Sequence, residues 1–146
     1  MDQRFISSVR WQQMFPECDT ADEDQVVALL DRVRTNHGPL STVVHAAGVL
    51  DDKLMATQDA ESMRRVWAPK ADGAWYLHKH TEADKLRAFV LFSSVASLFG
   101  NAGQTNYSAA NSYLDALAGW RRSQGKPAVS VQWPAVSGVG MAAAME

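Results

Sequence analysis

The chain reads as an α/β fold built on a parallel sheet with helices packed against it, and three observations predict this. Residues 40–47 and 86–92 are short, apolar, β-branched runs that end at glycine or serine, as suits strands inside a sheet. A third such run, 128–133, is stopped by Pro134. Long helical patterns separate these runs, and strands alternating with helices imply right-handed crossovers, parallel pairing and helices on both faces.

Taken in order, residues 5–11 could form a first strand, and Cys18-Asp19-Thr20 closes that region as a turn. Thr20 followed by Glu23 reads as a capping box, and Val26, Val27, Leu29, Leu30 and Val33 supply an apolar stripe up to a stop at Gly38. The run 40–47 then predicts a strand buried on both faces, ending at Gly48. A helical stretch from Asp59 to His80 contains Pro69, which removes a backbone donor, so a kink is expected just before Lys70. The strand at 86–92 runs into Ser93-Ser94 and places Ser94 at its carboxyl end. Residues 100–103 are loop, and Thr105 to Arg122 form an alanine-rich helix ending near Gly125. Tyr107 and Asn111, at i and i+4, share a face of it. Gly48, Ser94 and Pro134 all fall at the carboxyl ends of strands, where open parallel sheets bind ligands. No internal repeat or low-complexity tract interrupts the pattern.

Composition narrows the function classes. With 146 residues, 47% of them hydrophobic and 21% charged, the chain can bury one modest core and not two. A net charge of −2 without a basic cluster argues against nucleic-acid or membrane-surface binding. The single cysteine, Cys18, excludes an intramolecular disulfide and a thiolate metal cage, and fits a reducing cytosol. No apolar run in the first residues is long enough for a signal peptide or a span, so a cytoplasmic location is expected. His45 sits in an apolar run and reads as a satisfied core residue. His78 and His80 lack a third partner, so no metal site is expected. Trp67, Trp75, Trp120 and Trp133 read as core or near-core packing.

The residues that carry chemistry are Tyr107, Ser94, Lys70 and Asn111. A phenol with an ordinary pKa near ~10 is a poor acid at neutral pH, but a nearby ammonium favours its phenolate and eases proton donation. A hydroxyl and an amide beside that pair complete a relay suited to general acid chemistry at a carbonyl.

Four words, Val43-Val44-His45-Ala46-Ala47-Gly48-Val49-Leu50-Asp51-Asp52, Pro69-Lys70-Ala71-Asp72-Gly73-Ala74-Trp75, Phe92-Ser93-Ser94 and Asn106-Tyr107-Ser108-Ala109-Ala110-Asn111, resemble the ketoreductase domains of type I polyketide and fatty acid synthases. Those domains belong to the short-chain dehydrogenase/reductase superfamily, with a Rossmann-like sheet. The resemblance runs from about Cys18 to Met141. It implies that Tyr107 donates the proton to a substrate carbonyl oxygen and that Ser94 hydrogen-bonds that oxygen. It implies further that Lys70 holds the cofactor ribose and tunes Tyr107, while Asn111 anchors a water. Most superfamily members carry lysine four residues after the tyrosine. Here Asn111 stands in that place and Lys70 occupies the earlier one, the interchange typical of synthase ketoreductases.

The same resemblance implies NADPH as cofactor, a β-ketoacyl thioester on an acyl carrier protein as substrate, and other synthase domains as neighbours. Asp19 resembles the adenine contact, Ala46, Ala47 and Gly48 flank the adenosine side, and Trp133-Pro134 lie near the nicotinamide. Leu50-Asp51-Asp52 resembles the loop of reductases that give a D-β-hydroxyl product. No tryptophan shortly precedes Tyr107, and Ala109 replaces the proline of epimerising members.

One part of the family pattern is missing. Among nine glycines there is no GxGxxG turn to hold a pyrophosphate at a helix N-terminus. Residues 1–146 are therefore expected to be the C-terminal part of a ketoreductase-type NAD(P)-binding domain, lacking the first βαβ unit and binding NADPH weakly or not at all. The alternative expectation is a catalytically silent piece, either truncated or a structural half that needs a complementing chain.

Overall fold

The computed structural model describes residues 17–134, so the strand expected at residues 5–11 lies outside the described residues. Helix α1 (Glu23–His37) has its cap two residues past the expected Thr20. Asp22 is its N-cap, accepting from the Gln25 backbone N–H at 3.2 Å and from Gln25 Nε2 at 2.9 Å. The Thr20 hydroxyl instead donates to the Pro69 carbonyl at 2.9 Å. The Thr-x-x-Glu pattern was a degenerate signal, because Asp22 and Gln25 offer the same cap with a carboxylate that the helix dipole favours. The helix ends at Gly38, whose φ of 85° is left-handed and easiest for glycine.

Three parallel strands follow, β1 (Thr42–His45), β2 (Ala88–Ser94) and β3 (Val129–Trp133), in the order β1-β2-β3. Val43 pairs with Phe89, His45 with Leu91, Phe92 with Val131 and Ser94 with Trp133. Strand alternation then sorts the side chains. Val43, His45, Phe89, Leu91 and Ser93 point to one face and are all buried. That face packs on the long helix α5 (Thr105–Ser123), whose buried stripe runs through Ala110, Asn111, Leu114, Leu117, Ala118 and Arg121. Phe89, Leu91 and Leu114 form the centre of this core with Ala74 and Ala118. Burial of each such large side chain stabilises by roughly 1.5–3 kcal/mol.

The opposite face departs from the expectation of strands buried on both sides. Val44 is 56% exposed, and Val129 and Trp133 on the same side are also exposed. Periodicity could not reveal this, since a β-branched run looks the same whether its second face is covered within the chain or by something else.

The expected kink at Pro69 resolves into three pieces. Helix α2 (Ala60–Trp67) opens with a reciprocal capping box between Asp59 and Ser62. A π-helical turn, Ala68–Asp72, carries the proline, and α3 (Gly73–His80) continues beyond it. Two short elements had no signature in the sequence: a 3₁₀ turn at Met55–Thr57 and helix α4 (Ala96–Phe99) directly after β2. Trp75 and Trp120 stand 40% and 45% exposed, with ring centroids 6.2 Å apart, so they line the surface and not the core.

Candidate active site

The π turn sets the position of Lys70. Pro69 has no N–H and the wide turn loosens the helical ladder, so its carbonyls are open to partners from outside, although the Lys70 carbonyl also accepts the Gly73 N–H. Thr20 supplies one to the Pro69 carbonyl, and His45 Nε2 supplies another to the Lys70 carbonyl at 2.9 Å. His45 is buried, and that burial lowers its pKa, with the Lys70 charge acting the same way against the backbone hydrogen bond. The imidazole is therefore neutral at pH 7, with Nε2–H donating. Gly73 closes the turn because a Cβ there would lie 2.9 Å from both Cβ and the carbonyl oxygen of Thr20.

With its backbone held, the Lys70 side chain reaches inward and is only 2% exposed. Its Nζ donates to the Phe92 carbonyl at 2.8 Å and lies 5.4 Å from the centroid of the Tyr107 ring. Desolvation pulls the ammonium's pKa down to about 8, against the field of Asp115. Gly48 makes room for this side chain, since a Cβ there would meet Lys70 Cε at 3.0 Å.

Asn111 lies one turn beyond Tyr107 and is fully buried. Its Nδ2 donates to the Tyr107 carbonyl at 2.8 Å, while its Oδ1 is buried without a hydrogen-bond partner among the described residues. An orphaned buried carbonyl of this kind is a place for a bound donor such as water. Ser94 ends β2, where its Oγ accepts from the Ala96 backbone N–H at 3.2 Å at the start of α4. Of the four expected residues, then, Lys70 meets Tyr107 directly and Asn111 backs Tyr107, while Ser94 stands at the end of β2, two residues past the Phe92 carbonyl that Lys70 holds.

The Leu50-Asp51-Asp52 segment is fastened to the start of α5. Asn106 Nδ2 donates to the Asp51 carbonyl at 2.8 Å, Gln104 Nε2 to Asp52 Oδ2 at 2.9 Å, and the Lys53 backbone N–H to the Gly103 carbonyl at 2.9 Å. Asp51 also faces Arg65 at 3.6 Å. Asn106 is fully buried and its Oδ1 accepts from the Tyr107 N–H at 2.8 Å, so one amide links the loop to Tyr107. Sequence reasoning passed over Asn106 and Gln104. Their signal was local, two amides in the three positions before Tyr107, next to a loop that ends without its own caps.

Of the remaining positions, Asp19 is exposed just ahead of α1, its Oδ1 accepting from the Ala21 N–H at 2.9 Å. Ala46 is exposed and Ala47 half-buried after β1, and Trp133 and Pro134 are exposed at the end of β3, with the Trp133 ring 5.5 Å from Phe92. Ala46, Ala47, Trp133 and Pro134 thus lie at the carboxyl ends of their strands. No group of three metal-ligating side chains is assembled among the described residues.

Comparison with known proteins agrees with this geometry. Residues 4–138 match the family described as KR domain. The polyketide synthase GfsB of Streptomyces halstedii is 56% identical over 116 residues, covering 80% of this chain and 2% of the relative. The spectinabilin polyketide synthase system protein NorB of Streptomyces orinoci is 50% identical over 130 residues, 88% of this chain and 6% of that protein. Among solved structures, the ketoreductase from the first module of phoslactomycin biosynthesis in Streptomyces sp. HK803 superposes with a TM-score of 0.78 at 44% identity, over 84% of this chain and 28% of that one. A ketoreductase domain from the bacillaene assembly line gives 0.84 at 29% identity, over 97% of this chain and 37% of its own. The chain thus spans a small part of each relative and about a third of each solved ketoreductase. With its parallel sheet, its Lys70–Tyr107 pair and these matches, the chain belongs to the KR domain family, the short-chain dehydrogenase/reductase-type ketoreductases of polyketide synthases.

Proposed function

We propose that this chain carries the proton-delivering half of a polyketide ketoreductase, which reduces a β-ketoacyl thioester held by an acyl carrier protein to the D-β-hydroxyacyl product. The observation that carries this reading is the buried Lys70 ammonium against the Tyr107 ring, with the unpaired Asn111 Oδ1 one turn along the same helix. Tyr107 gives its proton to the carbonyl oxygen and Ser94 hydrogen-bonds that oxygen as charge develops, the kind of preorganised donor worth a few kcal/mol of barrier. Lys70 stabilises the phenolate left behind, and a water on Asn111 Oδ1 returns the proton.

The residues present fit the ribose and nicotinamide end of NADPH. A lysine has three N–H donors, one of which goes to the Phe92 carbonyl, so Lys70 can also meet ribose hydroxyls. Trp133 and Pro134 border the nicotinamide, and Ala46, Ala47, Gly48 and Asp19 border the adenosine side. NADPH, when bound, supplies the hydride to the carbonyl carbon. Residues 1–146 hold no GxGxxG turn for the pyrophosphate, and the exposed sheet face at Val44 and Val129 would accept a complement that carries one. The loop at Leu50-Asp51-Asp52, braced on Gln104 and Asn106, supports the D configuration. The surrounding protein is a multidomain synthase of the cytoplasm.

The test is an NADPH fluorescence titration of the chain alone and of the chain joined to a glycine-rich βαβ segment. Weak or absent binding alone, with binding and chirally resolved D-hydroxy product on joining, is expected. Low-micromolar binding by the chain alone would refute the missing clamp. A joined form that binds NADPH without reducing the thioester would favour the silent-half reading.

A further inference from the structure

We propose that the buried pair of His78 and Arg121 is a pH-sensitive switch within the folded domain. The imidazole accepts from the guanidinium only while it is neutral, and its protonation parts the pair and frees the indoles of Trp75 and Trp120 packed against it. The device lies outside the reactive cluster and does not depend on the function proposed above.

Arg121 stands about four turns past Tyr107 on α5, and His78 lies near the end of α3. Each is 2% exposed, so water cannot replace either partner. A guanidinium only donates, so the 2.5 Å contact between Arg121 Nη1 and His78 Nδ1 requires a lone pair on Nδ1 and places the imidazole proton on Nε2. A second proton would set two N–H groups and two positive charges against each other at that distance. One of the two side chains must then leave, and each has a place to go. His78 Nε2 is 3.6 Å from Glu82 Oε1, a carboxylate that draws an imidazolium. Arg121 Nε and Nη2 already reach the Pro127 carbonyl at 3.4 Å. Two arrangements of one pair, selected by one proton, make a switch.

Among the described residues, Arg121 faces His78 from α5, Glu82 faces it from the turn after α3, and Lys126, from the turn after α5, is bonded to Glu82. The sheet contributes the uncharged ring of Phe89, whose centroid lies 3.9 Å from the guanidinium carbon. Burial lowers the His78 pKa, and Arg121 and Lys126 add to this against Glu82. Glu82 keeps its charge through the hydrogen bond from Lys126. The switch therefore turns below the ordinary histidine value near ~6.5. Its output is aromatic. The His78 ring centroid lies 5.1 Å from that of Trp75 and 5.1 Å, edge-on, from that of Trp120, and the two indoles stand 6.2 Å apart. With Tyr113, Ala116 and Leu117 they border an apolar groove of about 210 Å³. A departing imidazole withdraws the ring that both indoles rest on, so the groove changes shape.

The experiment is an NMR titration of the whole 146-residue chain, following the His78 ring and the indole N–H signals, with far-UV circular dichroism in parallel. Trp75 and Trp120 should shift with the His78 midpoint, while Trp67, bonded to Asp72 at 2.9 Å, and the helical signal hold. In His78→Asn the amide oxygen accepts from Arg121 without titrating, so the Trp75 and Trp120 shifts should vanish over that range. In Arg121→Gln the amide can turn its oxygen to an imidazolium, so His78 should titrate about half a unit or more higher. Indole shifts that persist in His78→Asn at the parent midpoint would overturn the switch. So would a helical signal lost together with the His78 titration, or an unmoved His78 midpoint in Arg121→Gln. If His78→Asn fails to fold, the parent titration and Arg121→Gln still decide.

Discussion

His45 holds Lys70 by the backbone: the imidazole at the end of β1 donates to the carbonyl of a residue 25 positions later, at 2.9 Å. This contact joins the sheet to the π turn and directs the lysine side chain toward α5.

Replacing His45 by alanine should leave the Lys70 carbonyl with the Gly73 N–H alone and open a small cavity, costing about 2 kcal/mol in urea denaturation. The pH dependence follows from its lowered pKa. As pH falls through about 6.5, the unfolded imidazole takes up a proton that the folded one resists, so stability is lost below that pH. His78 is also lowered, mainly by burial, and shares the window. The stability–pH slope of His45→Ala should therefore be shallower than that of the parent, and equal slopes would contradict the buried neutral assignment.

Two glycines should respond differently to alanine. At Gly73 the new Cβ would press on the Thr20 backbone at 2.9 Å, which cannot yield without moving the chain, so a loss of roughly 1–3 kcal/mol is expected by thermal melting. At Gly48 the new Cβ meets the flexible Lys70 side chain at 3.0 Å. Gly48→Ala should fold with little loss and shift the Lys70 side-chain resonances.

Tyr107→Phe, in a form joined to a pyrophosphate-binding segment, should lower kcat by about 10²–10⁴ while leaving NADPH affinity nearly intact. Near-normal turnover in that variant would remove Tyr107 as proton donor.

Arg121 is buried, stacks 3.9 Å over the Phe89 ring and donates to His78 Nδ1 and the Pro127 carbonyl. Arg121→Lys loses the planar stack and the fork of donors, and should cost about 1–3 kcal/mol. Chemical denaturation of the variant checks this, and a cost near zero would show the stack to be incidental.

The sequence made the local parts of this molecule readable. Tyr107 and Asn111 share a helical face because spacing dictates it, and Pro69 breaks a helix because its ring must. Contacts that depend on tertiary meeting were not readable. Nothing in the word around His45 names the Lys70 carbonyl. The Thr20 cap failed because two overlapping patterns competed for one helix start. The surface tryptophans and the open side of β1 failed for a shared reason: hydrophobicity says that a residue prefers cover, not that the chain itself provides it.

The π turn has a consequence for how this chemistry is put together. Where phenol and ammonium sit four residues apart on one helix, any folded helix brings them into register. Here the ammonium arrives from a separate turn, and its approach to Tyr107 depends on His45, Gly48 and Thr20. The meeting of Lys70 with Tyr107 is then a property of the assembled domain, so a partly assembled chain would keep its secondary structure and yet leave the two side chains apart.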